Sequence, residues 1–297
     1  MIVLMNEIIV YIALILVGAC LGSFAGAAVW RLRAKQLEED KGAKEPYDHK
    51  EYQKLKKLLG KKTLQDRSHC LECGYALKWY DLIPIVSWLS LRGRCRSCKH
   101  SIGKFELFME LGVAAYFVLS YAFWPGGVET GLQIAHFILW LIAGVIMAVL
   151  FAYDYKWYLL PDRFTIALTV VGLAIVGVSA TESRDVAGTL LTALGAVAVL
   201  GGLYGALYAV SKGRWVGFGD VKLGVGLGLI LIDWQLAAVA LFLANLLGCL
   251  IVIPLLVSKK LKRNSHIPFG PLLIAGTILA WFIGWPLLEM YLRSMGI

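Results

Sequence analysis

The stretch Gly217-Phe218-Gly219-Asp220-Val221-Lys222 places a carboxylate, Asp220, at the start of an apolar segment. Removal from water disfavours a charged carboxylate. An acid beside a membrane segment is therefore expected to have a functional role and to interact with a second residue. The predicted partner is Asp154, which closes another long apolar stretch. Flexible or closely packed backbone at Gly217 and Gly219 would let Asp220 and an extended peptide approach each other.

Composition indicates a membrane protein. Hydrophobic residues make up 59% and charged residues 16% of the 297 residues, and the mean hydropathy is +0.71, values that exclude an ordinary soluble protein. Most apolar stretches reach the roughly 20 residues that cross a bilayer as a helix. The sequence therefore predicts an all-α polytopic membrane protein with about eight transmembrane helices. These lie at residues 8–29, 107–124, 132–153, 164–180, 186–210, 223–232, 235–257 and 270–292.

The sixth of these stretches, 223–232, is too short to span a bilayer alone. Its glycines at 224, 226 and 228 favour two interpretations equally, ordinary close helix packing or the approach of an extended peptide. The small residues of 22–28, at the end of the first stretch, predict a tight helix-packing surface.

Basic residues are concentrated in alternate connections. Lys and Arg number 18 in residues 31–105, 2 in 154–163, 3 in 211–222 and 4 in 258–266, and the other two are Arg184 and Arg293. The positive-inside rule therefore predicts both termini outside, with these four loops and both acids at the cytoplasmic side. The net charge of +9 follows from this topology and does not predict a nucleic-acid partner. The first apolar stretch has no basic segment before it, which predicts an uncleaved anchor.

Four cysteines form two C-x2-C pairs, Cys70 with Cys73 and Cys95 with Cys98, with 21 residues between the pairs. Four thiolates at this spacing can close a tetrahedron around Zn²⁺. Disulfides are the rival interpretation, but the loop is assigned to the reducing cytoplasm. We expect a closed, structural zinc site that takes no part in hydrolysis.

Two further segments of this loop each have two interpretations. In the charged insert 34–67, Tyr52 and Leu55 recur at helical spacing beside lysines, which favours a solvated helical extension over a helix lying on anionic lipid. Between the cysteine pairs, the apolar run 82–89 with Trp79 just upstream is typical of a membrane-interface segment, and equally of a small zinc-domain core.

Three charged residues outside the acid pair also have predicted roles. Glu110 lies near the start of the second span, where pairing with a basic group is favoured over contact with substrate. Asp162 precedes an apolar run, as a helix N-cap does. Lys222 either tunes the acid pair or is an ordinary basic residue at a cytoplasmic helix end.

Two carboxylates at the same depth can share one proton. The ionised member then takes a proton from water, the water attacks a peptide carbonyl, and the protonated member polarises the carbonyl oxygen. A simple helix-end acid remains the alternative for Asp154. For the whole chain, the alternative is a binding or transport protein with a zinc-ribbon loop, although acids clustered at one membrane face argue against a continuous ion path.

Motifs spread over nearly the whole chain resemble those of the type IV prepilin peptidases, integral-membrane aspartyl proteases of the GxGD kind. The resemblance rests on Gly22-Ser23-Phe24 with Arg31-Leu32, the four cysteines, Ile83-Pro84 through Ser87-Trp88, Leu91-Arg92-Gly93-Arg94-Cys95, Glu110, Asp154 with Leu160-Pro161-Asp162, the stretch from Gly217 to Lys222, and Ile267-Pro268-Phe269-Gly270-Pro271.

The resemblance implies removal of the basic leader peptide from prepilins or pseudopilins at the cytoplasmic face of the bacterial inner membrane. It implies Asp154 and Asp220 as the catalytic pair, and many members then methylate the new N-terminus with S-adenosylmethionine. The supporting or substrate-binding residues would be Gly217, Gly219, Lys222 and Glu110. The implied domains are a first transmembrane helix (1–30), a cytoplasmic loop (31–105) with the insert (34–67) and a zinc-binding subdomain (68–100), and a peptidase core (106–297).

Overall fold

The computed structural model describes residues 2–59, 68–125, 127–260 and 267–296. Within these ranges the secondary structure is helical, apart from two isolated β-bridges in the cysteine-containing loop. The α-helices are α1 (Ile2–Gly42), α2 (His49–Leu55), α3 (Val86–Ser90), α4 (Phe105–Ala122), α5 (Gly131–Trp157), α6 (Asp162–Ser183), α7 (Val186–Val197), α8 (Leu203–Ser211), α9 (Phe218–Leu231), α10 (Trp234–Val257) and α11 (Gly270–Ser294). A π-helical segment, Ala198–Gly202, joins α7 to α8, and 3-10 turns lie at Lys56–Leu58 and Trp79–Leu82.

In the described ranges, seven helical stretches are long and apolar enough to cross a membrane, which confirms the all-helical membrane class. They are α1 from Glu7, α4, α5, α6, the continuous stretch Val186–Ser211, α10 and α11. The eighth predicted segment is α9. Its 14 residues extend about 21 Å at 1.5 Å per residue, less than the roughly 30 Å of a hydrocarbon core.

The chain forms two compact units, Met1–Tyr121 and Ala122–Ile297. The first unit contains α1 to α4 and the four cysteines, and the second contains α5 to α11 and both acids of the predicted pair. The boundary between the units falls at the last residue of α4, whereas the division made from the sequence starts the peptidase core at residue 106. The functional meaning of that division stays a prediction.

In the first unit, α1 continues to Gly42, well beyond the predicted span of 8–29. Its extension presents Ala34 and Leu37, which are buried against Tyr52 and Leu55 of α2. Neither prediction for this part of the insert, a solvated helix or a helix on lipid, is right for these side chains, because they form a small core with α1. Residues 60–67 of the insert lie outside the described residues.

Helices α1 and α4 approach each other closely at two glycines. A Cβ atom at Gly18 would lie 2.8 Å from the Ala114 Cα, and one at Gly22 would lie 2.7 Å from the Glu110 Cα. Only a residue without a side chain permits backbones to come this near. The packing surface predicted at residues 22–28 is therefore confirmed at Gly22.

In the second unit, α9 packs against α6, α7 and the π-helical segment. A Cβ atom at Gly224 would lie 2.7 Å from the Leu200 carbonyl oxygen, and one at Gly228 would lie 2.8 Å from that of Ala196. Of the two interpretations of these glycines, close helix packing is the one observed. The glycines hold α9 against its neighbours and thereby fix the helix that carries Asp220.

Candidate active site

Asp154 lies in the last turn of α5 and is only 5% exposed. The helix ends three residues later, where Tyr158 adopts a left-handed conformation and donates its backbone N–H to the Asp154 carbonyl at 2.8 Å. The Asp154 carboxylate accepts a hydrogen bond of 3.0 Å from the backbone N–H of Gly270, the first residue of α11. A buried carboxylate is thus held by backbone from a helix more than 100 residues away in sequence.

Asp220 lies in the first turn of α9, half-buried. Its carboxylate accepts a hydrogen bond of 3.2 Å from the backbone N–H of Gly217, the residue that precedes the helix. A negative charge in a first helical turn is also favoured by the helix dipole. Asp220 interacts electrostatically with Asp154, so the fold brings together the two acids that the sequence pairs.

The other supporting glycine, Gly219, faces the loop between α5 and α6. A Cβ atom there would lie 3.2 Å from the Leu160 Cβ. The Leu160 side chain also lies against Gly270, whose Cβ position would be 3.5 Å from its Cδ2. Leu160 therefore packs between the two backbone segments that present Asp220 and bind Asp154.

Two aromatic side chains near this site, Tyr204 and Phe269, were not predicted as site residues. Tyr204, in α8, is 5% exposed and interacts electrostatically with Asp220. Its ring lies 5.2 Å from that of Phe269. The motif around Gly270 draws attention to Phe269, but an isolated tyrosine in an apolar stretch gives no sequence signal.

The N-cap prediction for Asp162 is wrong. Pro161 occupies the cap position, and Asp162 is the first residue of α6. Its carboxylate instead forms an ion pair of 2.7 Å with Lys222, which follows Asp220 by two residues on α9. Pro161 has no backbone N–H, and none is needed at the start of a helix. Because Pro161 occupies the cap position, the Asp162 carboxylate does not cap the helix and binds Lys222.

Glu110 is buried in α4, at 7% exposure. Its carboxylate accepts a hydrogen bond of 2.6 Å from the backbone N–H of Ile85 and bonds the side chain of Ser23. These polar groups take the place of the basic partner that the sequence favours. A supporting or substrate-binding role for Glu110 stays a prediction.

The four cysteines converge at one point. All four Sγ atoms lie within 4.8 Å of one another, and the distances from Cys70 to Cys98 and from Cys73 to Cys95 are both 3.9 Å. Four sulfurs bound tetrahedrally to Zn²⁺ at about 2.3 Å would be roughly 3.8 Å apart. The residues therefore fit a four-thiolate metal site.

The turn between the cysteine pairs is fastened to the second pair by Asp81. Burial by itself would raise the pKa of this carboxyl, but hydrogen bonds from the Arg96 guanidinium and the Lys78 N–H lower the pKa below its ordinary value. The Arg96 to Asp81 ion pair is 2.7 Å long. The 3-10 turn at Trp79–Leu82 is thereby fixed beside Cys95 and Cys98.

The first unit also encloses a cavity of about 370 Å³. Its lining includes Ser23, Trp30, Glu106 and Glu110 together with apolar side chains of the cysteine-containing loop. One oxygen of Glu106 accepts a hydrogen bond from the Trp30 indole at 3.1 Å. The other oxygen is buried and has no hydrogen-bond partner among the described residues.

Comparisons with known proteins agree with this two-part arrangement. The model of the bacterial peptidase A24 N-terminal domain matches residues 16–124. The model of the type IV leader peptidase family matches residues 139–253, which include Asp154 and Asp220.

Curated relatives match over most of their length. The chain is 31% identical to the type 4 prepilin-like proteins leader peptide-processing enzyme of Escherichia coli, over 90% of this chain and 91% of that protein. It is 34% identical to a prepilin leader peptidase/N-methyltransferase of Aeromonas hydrophila, over 72% and 71% of the two chains. With one of Legionella pneumophila the identity is 29%, over 95% and 94%. No solved structure matches the chain. The chain belongs to the type IV leader peptidase family.

Proposed function

We propose that this inner-membrane protein removes the leader peptide from type IV prepilins or pseudopilins, with Asp154 and Asp220 as the catalytic pair. The observation that carries the proposal is the electrostatic interaction of two acids, one of them buried, inside the segment that matches the leader peptidase model. The names of the relatives supply the substrate class.

The two acids would act as a unit that holds a single proton. The ionised carboxylate removes a proton from a water molecule, whose oxygen attacks the carbonyl carbon of the scissile peptide. The protonated carboxyl donates a hydrogen bond to the carbonyl oxygen, on which negative charge develops. When the tetrahedral intermediate collapses, the carbon–nitrogen bond breaks and the leaving nitrogen receives a proton from the pair. The N–H groups of Gly270 and Gly217 orient the two carboxylates for these steps.

The proposed orientation places both termini outside and the two acids at the cytoplasmic face, and it requires the short α9 to count as an eighth crossing. It is supported by the 27 Lys and Arg residues in four alternate loops, against Arg184 and Arg293 in the others. One of these loops, 258–266, includes residues 261–266, which lie outside the described residues. Cleavage at this face fits a leader that remains in the cytoplasm while the following helix enters the bilayer.

Zn²⁺ is the proposed occupant of the cluster formed by Cys70, Cys73, Cys95 and Cys98. Four thiolates complete its coordination shell, so the ion would fold the loop and would leave hydrolysis to the acids. The thiolates supply the tetrahedral donor set, and the Asp81 to Arg96 pair fastens the adjoining turn.

Substitution of each acid tests the peptidase proposal. Asp154→Asn and Asp220→Asn should each abolish leader removal from a co-expressed prepilin, because neither variant can hold the required proton and charge. Asp185→Asn is a matched control: Asp185 caps α7 through a hydrogen bond to the Gly188 N–H, and an asparagine can accept the same bond. Complete removal of the leader by either the Asp154→Asn or the Asp220→Asn variant would contradict the proposal.

N-methylation of the new N-terminus with S-adenosylmethionine is a second candidate activity. Several relatives are named prepilin leader peptidase/N-methyltransferase, and the 370 Å³ cavity lies in the unit that does not contain the aspartate pair. Glu106, whose buried oxygen has no partner among the described residues, offers a negative charge to a sulfonium cation. When bound, S-adenosylmethionine would supply an activated methyl group to the deprotonated amine of the new N-terminus.

Mass measurement of the processed N-terminus tests this second activity. The wild type should yield a methylated product, whereas Glu106→Gln should yield the cleaved product with less methylation. A cleaved but unmethylated product from the wild type, with S-adenosylmethionine supplied, would exclude the methyltransferase activity and leave the peptidase proposal intact.

A further inference from the structure

The segment 79–89 of the first unit exposes a row of large apolar side chains. The exposed fractions are 76% for Trp79, 60% for Val86 and 59% for Leu89, and those of Leu82 and Ile83 are at least 40%. The sequence offers two explanations for this run, a membrane-interface segment or the core of a small zinc domain. These exposures exclude the second explanation for these five residues.

Two side-chain hydrogen bonds hold the segment in this orientation. The Ser87 hydroxyl donates to the Asp81 carbonyl at 2.8 Å, and the Trp88 indole donates to the Gly103 carbonyl at 2.7 Å. Between the 3-10 turn and α3, Ile85 adopts a φ of +63°, which is strained for a β-branched residue. Such strain persists only where surrounding contacts enforce it.

A contact at this residue also ties the segment to α4. Glu110 accepts the Ile85 N–H at 2.6 Å, and Glu110 lies five residues into α4, a candidate membrane span. Five residues of helix rise about 7 Å. On α4 itself, Phe108 and Leu111 are exposed at 65% and 44%, as expected of side chains that face lipid. The segment is thus tied to α4 less than two turns from the start of this candidate span, and Glu110 satisfies an N–H that would be costly to leave unpaired in lipid.

Charge around the segment is of the sign that anionic lipids attract. Residues 68–104 contain six basic side chains and two acidic ones. Lys78, Arg92 and Arg94 are all exposed. Basic residues close to a membrane surface each contribute about 1 kcal/mol of attraction to anionic headgroups, and tryptophan prefers the boundary between headgroups and acyl chains.

We propose that segment 79–89 is a membrane-docking element, which inserts Trp79, Val86 and Leu89 into the boundary between the lipid headgroups and acyl chains. Its occupant is the bilayer itself, because Ile85 is bonded to Glu110 of α4, a candidate membrane span with exposed apolar side chains, and because exposed basic residues lie in the same loop. The element would hold the cysteine-containing loop flat against the membrane. This inference is independent of the peptidase chemistry.

Contact quenching of tryptophan emission tests the proposal on the full-length protein. The protein is placed in nanodiscs of phosphatidylcholine and phosphatidylglycerol, with or without bromine on the acyl chains. The emission contributed by Trp79 is the difference between the wild type and Trp79→Phe. Trp88→Phe is the matched control, because Trp88 is half-buried and hydrogen-bonded within the same loop.

We expect brominated lipid to quench the Trp79 contribution at least about twofold more than the Trp88 contribution, since bromine acts only at contact. A Trp79 contribution that aqueous iodide quenches and brominated lipid does not would overturn the proposal, because the segment would then face water. Protection from both quenchers would overturn it as well, because protein would cover the segment.

Discussion

The position of the Asp154 carboxylate depends on a single backbone group, the N–H of Gly270. A Cβ atom at Gly270 would lie 2.7 Å from the same Asp154 oxygen that accepts the hydrogen bond. Glycine is required here because of close approach, not because of an unusual backbone conformation. The site thus places a buried acid against a bare segment of backbone at the start of α11.

Gly270→Ala should therefore impair cleavage while the protein still folds. The added methyl group forces the carboxylate to move, and a displacement of about 1 Å in a catalytic group can reduce activity by about 100-fold. The initial rate of leader removal is the measurement. Gly177→Ala in α6 is the control, because a Cβ atom there meets nothing within 4 Å, and this variant should keep its rate. Equal rates for the two variants would refute the role assigned to Gly270.

The sequence predicts the acids of this site better than it predicts their partners. Asp154 and Asp220 stand out because carboxylates at the ends of apolar stretches are rare and costly. The hydrogen bond from Gly270 and the nearness of Tyr204 depend on how α11 and α8 pack, which no local pattern encodes. Asp162 shows the limit of local rules, since a contact 60 residues away, with Lys222, decides its role.

At the scale of the helices, the ion pair between Asp162 and Lys222 joins the start of α6 to the first turns of α9. Asp162 follows the loop that leaves Asp154, and Lys222 follows Asp220 by two residues. The pair is partly exposed, at 63% and 33% of the two side chains, so its contribution is at most about 1 kcal/mol. Its expected effect is to set the relative position of the two elements that carry the acids.

Lys222→Met should slow cleavage about two- to fivefold, as loss of up to about 1 kcal/mol predicts. Exchange of the two charges, Asp162→Lys with Lys222→Asp, should recover part of that loss, because the pair is restored in reverse. Lys212→Met, an exposed basic residue in the same connection, should cleave at the wild-type rate. If the exchanged pair is no faster than the slower of its two single variants, the two residues act independently.

The glycines of α9 lead to a stability prediction. Gly224→Val would place side-chain atoms against the Leu200 carbonyl, 2.7 Å from the Cβ position. Overpacking of this kind costs about 1–3 kcal/mol, so the melting temperature in detergent should fall. Gly205→Ala is the control, because its Cβ atom would make an ordinary contact of 3.6 Å with Val221. An unchanged melting temperature for Gly224→Val would mean that α9 can shift away from the π-helical segment.

The sequence predicts the helices that cross the bilayer better than it predicts the helical segments that are stabilised by contacts with other parts of the protein. Hydropathy locates all the long spans because the bilayer imposes one length and one composition on them. It does not find the extension of α1 to Gly42, which depends on the contact of Leu37 with Leu55. For α9, short length and glycine content predict an unusual helix, and only its neighbours show that the glycines serve packing.

At the scale of the whole molecule, the two units are stabilised by different means. The second unit buries long apolar helices against one another, with Trp140, Leu223 and Ile274 among its least exposed side chains. Within residues 68–104 of the first unit, all of which the structure describes, the only apolar side chain in the buried core is Cys95. A segment of this size without a hydrophobic core needs another source of stability, and a metal ion held by the four converging thiols is the source that we propose.

Loss of the metal should therefore unfold the cysteine-containing loop and spare the helices of the second unit. Structural zinc sites contribute about 10–16 kcal/mol in small domains, far more than the exposed ion pairs around this loop can supply. Cys73→Ser and Cys98→Ser should each lower bound zinc, and trypsin should then cut at the many basic residues of 68–104. Helical content measured by circular dichroism should fall only slightly, since most helical residues lie elsewhere.

Cys20→Ser and Cys249→Ser, which alter cysteines outside the cluster, should keep both zinc and trypsin resistance. A wild-type protein that binds no zinc, or a Cys73→Ser loop that resists trypsin as the wild type does, would show that the loop folds by other means.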